Sequence, residues 1–137
     1  MFQTFAFYST AFYREFSAYT ARVLQSIGLN YGALFPLIYV GKHPGCTPSQ
    51  LVHALGLDWG YGQRSIQKLV DDGFICRTKE GRSYRLELCE KGRHAFEVSH
   101  QVFFDWDQQM LAPLTQEERG QLYQLLEKVR KGQIQQE

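Results

Sequence analysis

The sequence predicts a mainly α-helical fold that carries one small β-hairpin. Apolar residues recur at steps of three and four through most of the 137-residue chain, the period of amphipathic helices. One short stretch, Tyr84-Arg85-Leu86-Glu87-Leu88, alternates instead, as a half-buried strand does. The composition, 44% hydrophobic and 21% charged, is that of a globular protein with a real core and argues against disorder. The formal net charge of +1 excludes a strongly basic chain and an acidic tail, so any nucleic-acid surface must be local and offset by acid elsewhere.

The first 19 residues hold eight aromatic side chains. Phe5, Tyr8, Phe12, Phe16, Tyr19 and Val23 fall on one helical stripe, whereas Phe2, Phe7 and Tyr13 lie off it. A helix apolar on more than one side needs more than one partner surface, which predicts a helix shared between two subunits. Gly28 is its expected C-cap. Asn30 caps a second helix running to about Val40, with Pro36 inside it as an expected kink. Residues 23 to 41 carry no formal charge, but Gln25, Ser26, Gly28, Asn30, Gly32 and Pro36 interrupt them, and no membrane span is expected. The amino terminus lacks the layout of a signal peptide. The three cysteines are too few and too scattered for a secreted disulfide scaffold, which points to the cytoplasm.

Thr47-Pro48-Ser49-Gln50 starts a short helix: Thr47 as N-cap, Pro48 at the first position and Gln50 closing a capping box. Leu51 and Leu55 face inward, Gly56 ends the helix, and Asp58 caps the next one. From Trp59 to Asp72, Trp59, Gly62, Ile66, Leu69 and Val70 share a core face, and Gly60, Tyr61, Arg64, Lys68 and Asp71 lie opposite. Gly62, three residues from Trp59, is expected to make room for the indole. Two helices joined by a tight Gly-containing turn, the second with a polar outer face, make a helix-turn-helix. Gly73 stops the second. Phe74 to Lys79 and Tyr84 to Leu88 form strands around the turn Glu80-Gly81-Arg82-Ser83. A long helix follows from about Glu90 to Met110, with Phe96, Phe103, Trp106 and Met110 on its stripe. Thr115 and Glu118 make a second capping box. Leu122, Leu125, Leu126 and Val129 line the last helix, which is expected to fray from Lys131.

This order resembles the MarR (multiple antibiotic resistance regulator) family of winged-helix transcription regulators over roughly residues 28 to 129. Lys42-His43-Pro44-Gly45-Cys46-Thr47 is similar to the family's turn before its first DNA-proximal helix, and Leu55-Gly56-Leu57-Asp58 to its approach to the recognition helix. The fifteen-residue step from Asp58 to Gly73 equals the family spacing, and Phe74-Ile75 takes the place of the family's apolar pair. Leu86-Glu87-Leu88 with Lys91-Gly92 resembles the end of the wing, and Leu114-Thr115 with Glu118, Leu122, Leu125 and Leu126 the last dimerisation helix. Trp59 and Tyr61 are bulkier than the family's small polar residues, Glu80-x-Arg82 replaces its Asp-x-Arg, and Cys89 stands where a capping Thr is usual.

The resemblance implies a winged helix-turn-helix lobe over about 30–92, with dimerisation helices over about 1–28 and 95–131. It further implies a homodimer on pseudo-palindromic double-stranded DNA, acting as a repressor, and a small aromatic ligand bound between the dimerisation helices and the DNA-binding lobes. Charge supports it independently: Arg77 to Arg93 hold six basic residues against three acidic ones, and Ala95 to Glu127 six acidic residues against Arg119 alone. Arg64, on the outward face of the second helix, is the expected reader of base edges, because arginine bonds bidentately to guanine. Tyr61, Gln63 and Gln67 flank it. Arg82 at the turn tip suits the minor groove, and Lys68 and Lys79 suit phosphates. Thr47, Ser49 and Gln50 open a helix whose amides can hold a phosphate.

No nucleophile elbow, phosphate loop, zincin motif or paired acid–base constellation is present, so no enzyme and no cofactor are expected. His94 and His100 are about 120° apart on a helix, and His43 and Cys46 lack companion ligands, so no metal is expected. The cysteines show no reactive setting, and DNA binding is expected to respond little to oxidants. The alternatives are a winged-helix protein-interaction module that never touches DNA, and a thiol- or metal-responsive switch.

Overall fold

A computed structural model describes residues 3–134. Phe2 and the last three residues lie outside the described residues. The chain divides into two compact units, Met1–Phe103 and Phe104–Glu137.

The first unit begins with α1 (Phe5–Gln25), capped by Thr4, whose hydroxyl accepts from the Phe7 amide at 3.1 Å. α1 ends at Gln25 rather than at Gly28, which instead takes a φ of +78° in the turn that follows. A 3-10 turn (Tyr31–Ala33) leads into α2 (Leu34–Lys42). The expected kink at Pro36 is not where the chain breaks. Pro36 sits in the first turn of α2, where its missing N–H is one the helix does not use, and the irregularity is the 3-10 turn before it.

α3 (Pro48–Leu55) carries the full capping box: Thr47 Oγ1 accepts from the Gln50 amide at 3.1 Å, and Gln50 Oε1 from the Thr47 amide at 2.9 Å. Gly56 closes it in the left-handed region, at φ +63°. Asp58 caps α4 (Trp59–Asp71) by accepting from the Tyr61 amide at 3.1 Å. Such caps each contribute about 1 kcal/mol. Gly62, Ile66 and Leu69 of α4 are buried, but Trp59 is 49% exposed. The indole therefore does not occupy the space beside Gly62. That space belongs to Val52: a Cβ on Gly62 would overlap its methyl group, so the glycine lets α3 and α4 approach closely.

β1 (Ile75–Glu80) and β2 (Ser83–Leu88) pair antiparallel, from Ile75 opposite Leu88 to Glu80 opposite Ser83. The connection is the two-residue turn Gly81-Arg82, with Gly81 at φ +64° in its first position. Cys46 adds one bridge to the outer side of β2: the Gly45 amide donates to Leu86 O, and the Leu86 amide to Cys46 O, both at 2.8 Å.

α5 (Glu90–Met110) has the predicted bounds, but its buried positions in the first unit are small: Gly92, Ala95, Ser99 and Val102. The aromatic stripe chosen from the sequence, Phe96 and Phe103 included, is only half-buried. Small side chains let α5 lie directly on the backbone, and a Cβ on Gly92 would collide with the Phe74 carbonyl oxygen. The core is one cluster in which Leu37, Val40, Leu51 and Leu86 are completely buried. Burying a side chain of this size is worth about 1.5–3 kcal/mol.

The second unit holds the end of α5 and α6 (Gln116–Ile134). The Thr115–Glu118 capping box forms, with bonds of 2.9 and 3.1 Å. α6 continues past Lys131, where fraying was expected, to Ile134.

Two of the three cysteines are not scattered in space. Cys76 and Cys89 are joined in a disulfide, Cys76 is exposed on β1, and Cys46 alone is free and buried. The hairpin brings the pair together, because it folds residues 13 apart back onto one end of the ladder. No helix among the described residues is long and apolar enough to cross a membrane.

Candidate nucleic-acid interface

The helix-turn-helix and the hairpin place the predicted residues in three groups. Gln63, Arg64 and Gln67 lie along the exposed side of α4, in a groove whose other walls are Pro48 of α3 and Arg77 and Tyr84 of the hairpin. The groove holds about 380 Å³. Arg64 extends toward the start of its own helix, since a Cβ on Gly60 would lie 3.2 Å from its Nη1. Arg82 occupies the tip of the hairpin and Lys79 the strand before it, and both are exposed. Among the described residues, Arg64, Lys79 and Arg82 pair with no acid. Unneutralised cations of this kind are what a contact with an anion requires.

Four of the predicted contacts, Lys68, Gln67, Thr47 and Gln50, have structural duties. Lys68 Nζ pairs with Asp72 Oδ2 at 3.2 Å across one turn of α4. Gln67 is held on both sides: its Nε2 donates to Asp71 Oδ1 at 2.8 Å, and its Oε1 accepts from Arg77 Nη1 at 2.9 Å. Arg77 in turn lies over the Tyr84 ring, 4.6 Å from its centroid. This chain of contacts ties α4 to the hairpin. Gln67, expected among the base readers, is therefore a link between elements, and Arg77, which the sequence marks only as a charge, is its partner. The one available signal was the alternation that set Tyr84 on the inner face of β2. Thr47 and Gln50 use their side-chain oxygens to cap α3, while Ser49 stays exposed beside them. Tyr61 is 46% exposed, and its hydroxyl reaches the opening turn of the 3-10 segment, 3.1 Å from a Cβ built on Gly32.

Arg85 bonds from Nε to Glu80 Oε2 at 3.0 Å and from Nη1 to Gly45 O at 3.3 Å, and fixes the outer side of the hairpin. The hairpin base is fixed from α5: Lys91 Nζ donates to Asp72 O at 3.0 Å and lies over the Phe74 ring, and the Cys89 amide donates to Phe74 O at 3.1 Å. A second hollow of about 380 Å³ lies on the other side of α4, between Tyr61, Arg64, Lys68 and the turn from Gly28 to Ala33. No group of three or more residues able to hold a metal occurs among the described residues.

No family model matches the chain. It is 42% identical over 132 residues to the HTH-type transcriptional regulator BilQ of Clostridium symbiosum, covering 94% of this chain and 92% of that protein. Its fold matches that of a MarR transcriptional regulator from Methanosarcina mazei, with a TM-score of 0.87 at 24% identity over all of this chain and 94% of the other. It also matches a MarR-family regulator from Listeria monocytogenes complexed with a 26mer DNA, with a TM-score of 0.81 at 19% identity over 96% and 89% of the two chains. Sequence and fold together place the chain among the HTH-type transcriptional regulators, with the winged helix-turn-helix fold of the MarR structures.

Proposed function

We propose that this regulator is a homodimeric, non-enzymatic, cytoplasmic repressor that binds a pseudo-palindromic duplex through α4 and the hairpin wing and is released by a small aromatic ligand. The observation that carries the reading is the row of acid-free cations, Arg64 on the exposed side of α4 and Lys79 and Arg82 on the wing. A helix reads base edges in the major groove, and a basic hairpin beside it contacts backbone or minor groove. Tyr61, Gln63 and Ser49 complete the contact surface, and Lys68 reaches phosphate by exchanging Asp72 for it. The similar Listeria regulator was crystallised on DNA.

The dimer reading rests on apolar side chains exposed in each unit: Phe5 and Tyr13 on α1, and Leu125, Leu126 and Val129 on α6. Dimerisation helices over about 1–28 and 95–131 would flank a DNA-binding lobe over about 30–92. The hollow beside Tyr61, Arg64 and Lys68 has the volume of a small-molecule site. A ligand there would lie against the same helix that reads DNA.

The test begins with selection of bound sequences from a random duplex pool, followed by titration of the selected and a scrambled duplex at several salt concentrations. Arg64→Ala costs about 1–3 kcal/mol per half-site on the selected duplex and relaxes choice at one base position. Arg82→Ala weakens both duplexes and lowers the slope of log affinity against log salt by about one per half-site. No enrichment from the pool, or no salt dependence, would leave a protein-interaction module instead. Sedimentation at low micromolar concentration shows twice the monomer mass, and a clean monomer would overturn the palindrome as well.

A further inference from the structure

We propose that Cys76 and Cys89 form a reversible dithiol–disulfide site that staples the base of the wing and tightens its hold on a polyanion. Cys76 is the second residue of β1, and Cys89 follows β2 directly, in the capping position before α5. Their Cα atoms are 5.4 Å apart, inside the range a disulfide spans without backbone movement. The fold holds them there without the bond. The strand ladder aligns Cys76 opposite Glu87, and Cys89 is anchored on both sides, its amide donating to Phe74 O at 3.1 Å and its carbonyl accepting from the Arg93 amide at 2.9 Å. Reduced thiols therefore stay adjacent and ready to rejoin.

The pair is also reachable. Cys76 is exposed and Cys89 half-buried, whereas Cys46 is buried in the core cluster. Burial pushes the Cys46 thiol up, which keeps it protonated and inert. Cys89 stands at the positive end of a 21-residue helix, which favours an anionic sulfur. With a hydroperoxide as oxidant, the Cys89 thiolate attacks the O–O bond. An S–O bond forms, the O–O bond breaks, and the departing oxygen takes a proton to leave as water. Cys76 sulfur then attacks Cys89 sulfur, the S–S bond forms, the S–O bond breaks, and a second water leaves. Two thiols and one hydrogen peroxide become one disulfide and two waters, and a dithiol returns the two electrons and two protons by exchange.

The bond closes a loop that contains the whole wing, including Lys79 and Arg82. With both ends of the hairpin tied beside α5, the wing loses less freedom when it meets phosphate. That consequence rests on the proposed function, and the thiol chemistry does not. The test uses the full chain, reduced, freed of reductant and treated with one equivalent of hydrogen peroxide. Thiols counted after denaturation fall from three to one, the crosslinked peptides contain Cys76 and Cys89, and dithiothreitol reverses both. Amides of residues 77–88 exchange about tenfold more slowly in the oxidised protein. Its affinity for a labelled mixed-sequence duplex rises about three- to tenfold at fixed salt. Cys46→Ser responds like the wild type, and Cys76→Ser does not respond. Three thiols surviving peroxide, a crosslink through Cys46 or between chains, or equal wing exchange in the two states would overturn the site. Slowed exchange with unchanged duplex affinity would overturn the tightening. Binding of duplex in neither state, with the thiol and exchange results as expected, would uphold the staple and overturn the nucleic-acid reading instead.

Discussion

The cluster around α2, α3 and the hairpin and the helix α6 are both rich in leucine, yet they treat it in opposite ways. Leu37, Leu51 and Leu86 are completely buried, whereas Leu125 is 63% exposed. The first region closes on itself because several helices and a hairpin pack around one cluster. A single long helix has no such closure, and its apolar side chains wait for another surface. Composition and periodicity look alike in the two regions. Only the packing separates a closed core from a face left exposed.

The sharpest way to break this comparison is to truncate one leucine in each region. Leu86→Ala leaves a void under β2 and costs about 2–5 kcal/mol in denaturant unfolding. Leu125→Ala removes a side chain that the chain itself leaves exposed, and costs less than about 0.5 kcal/mol in the monomeric state. In the proposed dimer its effect emerges instead as dissociation at higher protein concentration. Equal losses at both positions, independent of concentration, would mean that α6 is stabilised within the chain as the core is.

Glycine sharpens the same contrast. Gly92 in α5 lies so close to the Phe74 carbonyl that a Cβ has no room, while nothing lies within 4 Å of a Cβ on Gly120 in α6. Gly92→Ala therefore destabilises by about 1–3 kcal/mol, as overpacking does. Gly120→Ala stabilises by about 0.5–1 kcal/mol, because alanine loses less backbone freedom in a helix. Thermal unfolding of the two variants should shift in opposite directions. A loss at Gly120 would show that a second surface covers that side of α6.

What the sequence made legible follows the same division. Stops and starts were readable because they are local. Thr47, Asp58 and Thr115 cap the amides three residues on, and Gly56 and Gly81 take the left-handed turns their positions require. Contacts between distant elements were not readable. Trp59 shares the core angle of α4, but it is the first residue of that helix and stays exposed. The aromatic rings of α5 outweigh its glycine, alanine and serine in any hydropathy count, yet close helix approach selects the small residues. Gln67 meets Arg77 only because the chain reverses at Gly73 between α4 and β1, and Cys76 meets Cys89 only because the hairpin folds back.

The smallest effect concerns the start of α6, where the capping box is charged. The Thr115 amide, and secondarily its hydroxyl, hold the Glu118 carboxyl below the usual carboxylate range. A carboxyl lowered in the folded state contributes stability above its unfolded pKa, and that contribution is lost as pH falls through the folded value. The matching box at Thr47 and Gln50 of α3 holds the same geometry with a neutral side chain and has nothing to titrate. Acidification from neutral pH through the carboxylate range should therefore loosen the Thr115 and Glu118 amides while those of Thr47 and Gln50 stay fixed, read by hydrogen exchange or amide chemical shifts. Glu118→Gln converts the second box into a copy of the first, keeps the acceptor for the Thr115 amide and flattens the pH response. Glu118→Ala loosens the turn at every pH. If Glu118→Gln followed the wild-type acid response, the titrating group would lie elsewhere, and the difference between the two boxes would be geometric rather than electrostatic.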